Sequence, residues 1–287
     1  MGRDPQHSGE PVSTYAVFLD VDGTYLDSSR QVPPSAAEAV RAARAKGHQV
    51  FLCTGRSTAE IWPSFLEAGF DGVISSGGGH VSYGGEVLLH HTIPAGLLAR
   101  ARTFLDATGL DYIMESNSGL YPSEGVRRRM AQIVHPDLPD DELDRLVESD
   151  AVILKPLAEL TGELPPINKI VVLGSDVPVD RARAEFGGEF DLIEGTIPPY
   201  GRNMFELALP GVHKATAIAA LLDHAGISRE FSVAFGDGAN DLEMIEYVAV
   251  GVAMGDGSPE VIALADLVTD SADDDGIAKG FARLGLV

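Results

Sequence analysis

Short apolar runs separated by amphipathic stretches are the feature that most limits what this chain can fold into. The runs YAVFL (15–19), HQVFLC (48–53) and DGVISS (71–76) alternate with PPSAAEAVRAARAKG (33–47) and STAEIWPSFLEAG (57–69). A run that is apolar at successive positions reads as a strand covered on both faces, because a strand with one wet face would alternate. The stretch 33–47 reads as a helix, with Pro33 and Pro34 near its start and Gly47 at its end. The stretch 57–69 reads as a second helix that Pro63 breaks or kinks. Strand, helix, strand, helix, strand predicts a parallel sheet with helices on its faces.

The rhythm changes after Gly79. HVSYGGEVLLHH (80–91) reads as a hairpin about Gly84 and Gly85, PAGLLARARTFLDATG (94–109) as a helix, and LDYIMESNSGLYPS (110–123) as two strands joined near Ser118 and Gly119. DDELDRLVES (140–149) reads as a short charged helix and INKIVVLGS (167–175) as a strand. The first pattern resumes with the helix HKATAIAALLDHAG (213–226), the strand and turn of REFSVAFGDGANDLEMIEYV (229–248), a repeat of both in AVGVAMGDGSPEVIALA (249–265), and a last strand in DLVTDS (266–271). Residues 14–82 and 209–287 are therefore expected to form one discontinuous core, 83–208 an inserted α/β domain, and the polar residues 1–13 a disordered tail.

Composition narrows the function. Acidic residues outnumber basic ones 43 to 21, for a net charge of -22, which argues against a nucleic-acid surface because phosphate backbones need a basic footprint. No apolar run approaches the length that spans a bilayer, and the N-terminal segment lacks the apolar stretch of a signal peptide. The single cysteine, Cys53, has no partner in the chain for a disulfide and fits a reducing compartment, so the protein is expected to be soluble and cytoplasmic. A monomer or small homo-oligomer is expected.

Polar groups collect after the apolar runs. Asp20 and Asp22 follow YAVFL, Thr54 follows HQVFLC, and Asp237, Asn240 and Asp241 follow FSVAFG, while Lys214 opens the helix after the insertion. Ligands of open parallel sheets bind outside the carboxyl ends of the strands, so the three strand-end groups are expected at one edge of the sheet. Asp20, Asp237 and Asp241 crowded there would resist joint ionisation without a cation, and oxygen-only ligands suit Mg²⁺ better than Zn²⁺. Strand alternation would turn Asp20 and Asp22 to one side, with Gly23 allowing a sharp turn. Asp20 is then the candidate nucleophile and Asp22 the candidate acid and base. Thr54, Gly55 and Arg56 are candidates for binding phosphoryl oxygens, with Lys214 offsetting developing charge. Arg202 and Asn203, near the return from the insertion, are candidates for substrate contact.

At these residues the chain resembles the haloacid dehalogenase superfamily, and within it the Cof-type phosphatases of subfamily IIB. DVDGTYLDSS (20–29), CTGR (53–56), GVHK (211–214) and GDGANDLEMI (236–245) are similar to that family's four motifs in order, and residues 252–280 resemble its C-terminal stretch. The resemblance implies a Rossmann-like α/β core with an inserted C2-type α/β cap, and Mg²⁺-dependent hydrolysis of a small phosphate ester through an aspartyl-phosphate. It makes Asp20 nucleophile and metal ligand, Asp22 acid and base with a backbone-carbonyl metal contact, Asp237 a metal ligand, and Thr54 and Lys214 phosphate binders. Asn240 and Asp241 would support metal and phosphate. Two places depart from the pattern: Tyr25 where leucine is usual, and SSGGGH (75–80) where many relatives carry Asn-Gly-Ala. Two other readings stay open at this point: a mutase that passes the phosphoryl group to a sugar hydroxyl, and a non-catalytic sensor of phosphorylated metabolites.

Overall fold

The structure is a computed structural model and describes residues 14–134, 137, 139, 142, 163–174, 176–195 and 203–287. The expected tail 1–13, the charged segment 140–149 apart from Glu142, and Arg202 lie outside the described residues. The described strands are β1 (Ala16–Leu19), β2 (Gln49–Cys53), β3 (Gly72–Ser75), β4 (His80–Tyr83), β5 (Glu86–His90), β6 (Tyr112–Ser116), β7 (Gly119–Pro122), β8 (Lys169–Val172), β9 (Asp191–Gly195), β10 (Met204–Ala208), β11 (Ser232–Gly236), β12 (Val250–Ala253) and β13 (Leu267–Val268). An eight-stranded sheet has the order β13-β12-β11-β1-β2-β3-β4-β5. The pairs β1/β11, β11/β12 and β12/β13 are parallel, whereas β3/β4 and β4/β5 are antiparallel. The expected α/β class with a parallel-sheet core is the one observed, and the sheet runs past residue 82 through the hairpin strand β5.

The chain divides into two compact units. The first comprises Met1–Phe51, Ala68–Asp71 and Ala219–Val287. Its strand β1 is buried at every position, as the unbroken apolar run requires. Helix Pro34–Ala45 buries Ala36, Ala39, Val40 and Ala43, the i, i+3, i+4, i+7 stripe of an amphipathic helix. Asp71 accepts from Arg44 Nε and Nη2 at 2.9 and 2.8 Å, and from the Val50 amide at 2.9 Å, pinning the start of β2 to this helix.

The second unit comprises Leu52–Glu67 and Gly72–Ile218. The expected helix over 57–69 is instead two 3-10 turns, Thr58–Glu60 and Pro63–Leu66. Pro63 supplies no amide and holds Trp62 extended, with ψ 147°, which stops an α-helix from passing through. Residues Glu124–Val134 are α-helical here, and an α-helix absent from the residue-by-residue sequence reading, Gly276–Arg283, appears in the first unit.

This unit also holds an antiparallel five-stranded sheet of order β7-β6-β8-β10-β9. Register fixes its two faces. Tyr112, Val172 and Phe205 are cross-strand neighbours, as are Met114, Ile170 and Leu207. Together they form an apolar core with Leu98, Ala101 and Leu105 of helix Ala95–Thr108 and with Ala182 and Phe186 of helix Val179–Phe186. The intervening residues, Glu115 beside Lys169 and Val171 beside Ile113 and Glu206, share the opposite face. No helix among the described residues is long and apolar enough to cross a membrane.

Candidate active site

In the first unit, Asp20 and Asp237 each follow the last residue of neighbouring parallel strands, with Leu19 paired to Phe235 and the Asp20 amide donating to the Phe235 carbonyl at 3.0 Å. Asp20, Asp237 and Asp241 each place a carboxylate oxygen within 4.8 Å of the others. Asp20 and Asp241 are buried and Asp237 half-buried. Three carboxylates so close repel one another unless a cation lies among them, and all-oxygen donors suit a hard ion such as Mg²⁺.

Local contacts hold the carboxylates in place. Asp241 Oδ2 accepts from the amides of Asp237 and Gly238, both at 3.0 Å, so one aspartate anchors the loop that carries the other. Thr24 Oγ1 donates to Asp237 Oδ1 at 2.9 Å, and the Ser258 amide donates to the Asp237 carbonyl at 2.8 Å. Glycines make the close approach possible. A Cβ on Gly23, whose φ is +77°, would stand 2.7 Å from Asp237 Cγ, and one on Gly236 would stand 2.6 Å from Asp241 Cβ.

Asp22 differs from its expected setting. β1 ends at Leu19, so strand alternation does not extend to Asp22. The chain turns there, with the Tyr25 and Leu26 amides bonding to the Val21 carbonyl, and Asp22 is exposed and outside the three-carboxylate group. Asn240 is exposed in the turn Ala239–Asp241. Tyr25 is wholly buried, its ring edge-on to Phe70 at 5.4 Å, which gives this unusual residue a packing role.

In the second unit, Thr54 and Lys214 are both buried, at 1% and 2% exposure, although one follows a strand and the other opens helix Lys214–Ala225. The SSGGGH loop links their surroundings. Gly77 donates its amide to the Thr54 carbonyl at 3.0 Å, and Ser76 donates to the Arg56 carbonyl at 2.6 Å. Gly78, with φ +107°, lies so near the residue before Lys214 that a Cβ would stand 2.5 Å from the His213 carbonyl oxygen. The Ser76, Gly77 and Gly79 amides are thus engaged by the protein's own carbonyls. The glycines serve a tight approach, with those amides unavailable as a phosphate cradle. Thr54 Oγ1 accepts from the Arg56 amide at 3.1 Å, and the Arg56 guanidinium sits over the Phe65 ring at 5.2 Å. Asn203 is exposed, with φ +55°.

Sequence reasoning missed two groups. Thr24 carries no motif signal beyond its place beside Asp22 and Gly23. Glu115, Lys169 and Glu206 come from three separate strands and meet only through sheet register: Lys169 Nζ donates to Glu206 Oε2 at 2.9 Å and lies 3.7 Å from Glu115 Oε2. Burial pushes the Glu115 carboxyl up to about 8 despite Lys169 beside it. Burial works against the Lys169 charge too, but Glu115 and Glu206 hold the ammonium above its ordinary value.

A parallel sheet whose adjacent strand ends carry a tight carboxylate cluster defines an α/β enzyme with its chemistry at the carboxyl edge. The family of haloacid dehalogenase-like hydrolases matches residues 17–281, and the chain belongs to that family. Proteins named as phosphatases are among its relatives. Phosphatase YwpJ of Bacillus subtilis is 28% identical over 290 residues, which are 93% of this chain and 99% of that one. Phosphoglycolate phosphatase of Methanothermobacter thermautotrophicus is 26% identical over 270 residues, 93% of this chain and 97% of that one. In three dimensions the chain is similar to BT4131, described as a subclass IIB sugar phosphatase, with a TM-score of 0.73, 24% identity, and coverage of 96% of this chain and 100% of that one.

Proposed function

We propose that this phosphatase is Mg²⁺-dependent and hydrolyses small phosphomonoesters, sugar phosphates among them, through an aspartyl-phosphate on Asp20. The observation that carries the reading is the Asp20, Asp237 and Asp241 cluster, whose oxygens lie within 4.8 Å of one another. Asp20, Asp237 and Asp241 would hold Mg²⁺ through their carboxylates and Asp22 through its backbone carbonyl. When bound, the ion would offset the charge of the carboxylates and of the phosphoryl oxygens.

In the first step the Asp20 carboxylate attacks phosphorus, and the ester P–O bond breaks as the carboxylate–phosphorus bond forms. Asp22 gives its proton to the departing alcohol oxygen. In the second step a water attacks the same phosphorus, its proton passes to Asp22, and the Asp20–phosphorus bond breaks to release phosphate. Thr54, Gly55 and Arg56 bind phosphoryl oxygens, and Lys214 offsets the charge that develops on them. Asn240 supports this binding. Asn203 and Arg202 touch the alcohol portion, Arg202 being carried over from the sequence reading alone. On the same reading 14–82 and 209–287 are the catalytic core, 83–208 the cap that selects the alcohol, and the enzyme works in the cytoplasm as a monomer or small homo-oligomer.

Phosphate release from a panel of sugar, nucleotide and cofactor phosphates, with Mg²⁺ and with EDTA, tests the proposal. Release that requires Mg²⁺ is expected. Transfer of the phosphoryl group to a second sugar with almost no free phosphate would replace hydrolysis by a mutase activity. Silence across the panel from folded, Mg²⁺-bound protein would contradict both.

A further inference from the structure

The first unit holds a cavity of about 350 Å³ lined by Arg41, Arg44, Ala45, His48, Ala68 and Asp71. The Gln49 amide donates to the Tyr15 carbonyl at 2.8 Å, so β1 and β2 start side by side, and His48 stands immediately before β2. Asp71 is tied to the same end, its amide donating to the Val50 carbonyl at 2.9 Å. The cavity therefore lies where these strands begin, whereas Asp20 and Asp237 follow the points where β1 and β11 finish.

Its lining is rich in unspent donors. Arg41 and Arg44 are one turn apart on helix Pro34–Ala45, so they share a face of it. Arg44 spends Nε and Nη2 on Asp71, and its Nη1 has no hydrogen bond among the described residues. Arg41 has neither a hydrogen bond nor an ion pair among them. His48 is buried and its Nδ1 accepts from the Tyr15 amide at 3.2 Å, which leaves the proton of the neutral ring on Nε2. Burial, and then the Lys46 charge, keeps that ring neutral.

The neighbouring acceptors are already taken. Asp71 Oδ1 binds Arg44, and Oδ2 binds Arg44 and the Val50 amide. The last helix carbonyls, of Ala42, Ala43 and Arg44, accept from the amides of Lys46, Gly47 and His48. Two guanidinium groups against one carboxylate leave the lining positive in a chain whose net charge is -22.

We infer that this cavity binds the phosphate group of a small molecule, at a second site separate from the carboxylate cluster. Donors from three side chains suit a group with three or more acceptor oxygens, a phosphate better than a carboxylate, and guanidinium is the cation best shaped for it. The volume is at the lower end of the roughly 300–1,000 Å³ of small-molecule sites, which leaves room for a body beyond the phosphate against Ala45 and Ala68. All of these residues belong to the first unit, and the site does not depend on the phosphatase reading.

The His48 ring reports on the cavity directly. Nitrogen-edited NMR spectra of the histidine rings, in the full chain with Mg²⁺, follow titration with inorganic phosphate and with phenylphosphonate, whose carbon–phosphorus bond resists ester hydrolysis. Both should shift the His48 signals saturably. Tighter inorganic phosphate identifies the free ion as the ligand, tighter phenylphosphonate a phosphorylated metabolite, and either order supports the site. Arg41→Gln should weaken binding by about 10-fold, the scale of one charge-assisted hydrogen bond, and Arg41→Lys should restore part of it. Lys214→Met, outside the cavity lining, should leave the His48 response unchanged. No saturable shift, a shift reproduced by chloride at equal ionic strength, one that Arg41→Gln leaves unaltered, or one that Lys214→Met abolishes would overturn the inference. Phosphate release from the ester panel judges the phosphatase reading separately.

Discussion

At the scale of single residues, the site is set by how Asp237 is held. Its oxygen accepts from Thr24 at 2.9 Å, and Gly23 leaves the space the carboxylate occupies. Thr24→Val keeps the shape and removes the bond, and supports around a metal ligand are worth about 10–100-fold in affinity. Mg²⁺ titration should show a loss at the lower end of that range. Gly23→Ala should lose more, since its Cβ would press on the Asp237 carboxylate from a backbone at φ +77°, where a side chain adds roughly 1–2 kcal/mol of strain. The grouping of Asp20, Asp237 and Asp241 was legible because Asp20 and Asp237 each end an apolar run that reads as a strand and Asp241 follows within the same turn. The setting of Asp22 was not, because strand alternation stops being a guide where β1 ends at Leu19.

At the scale of elements, the parallel strands were legible because each is an unbroken apolar run, and helix Pro34–Ala45 because its stripe and its proline are both local. The 57–69 segment was misread as helical because its apolar spacing survives while Pro63 forces two short turns. The role of the SSGGGH loop was invisible in sequence, since it depends on Gly78 meeting His213 from a distant part of the chain. Gly78→Ala should lower the melting temperature by about 5 °C, from roughly 2 kcal/mol of backbone strain and crowding in a chain of this size. The buried Glu115 predicts a pH effect of definite sign. Its folded pKa lies above the ordinary carboxylate value, at about 8, so between that ordinary value and about 8 the folded chain binds more protons than the unfolded one. Its contribution to stability is therefore present at low pH and lost as pH rises toward 8. Melting temperatures of the wild type should fall over that range more steeply than those of Glu115→Gln. The buried His80, held low first by burial and then by His90, acts in the opposite sense below its ordinary value and is common to both proteins.

At the scale of the whole molecule, the acidic balance of -22 repels a small anion, so on this reading a phosphate ester is received only with the divalent cation that the carboxylate cluster would hold. The order of motifs along the chain was enough to expect an interrupted parallel sheet. The Glu115–Lys169 pairing was not accessible, because antiparallel register between distant strands leaves no short-range pattern.

The central claim is that Asp20 becomes the phosphorylated residue, and mass spectrometry of acid-quenched protein tests it most directly. An Asp22→Asn chain incubated with Mg²⁺ and p-nitrophenyl phosphate, whose leaving group needs no proton, should accumulate one phosphoryl group on the peptide containing Asp20. Release of p-nitrophenol with that peptide unmodified, or with the phosphoryl group on another residue, would contradict the account.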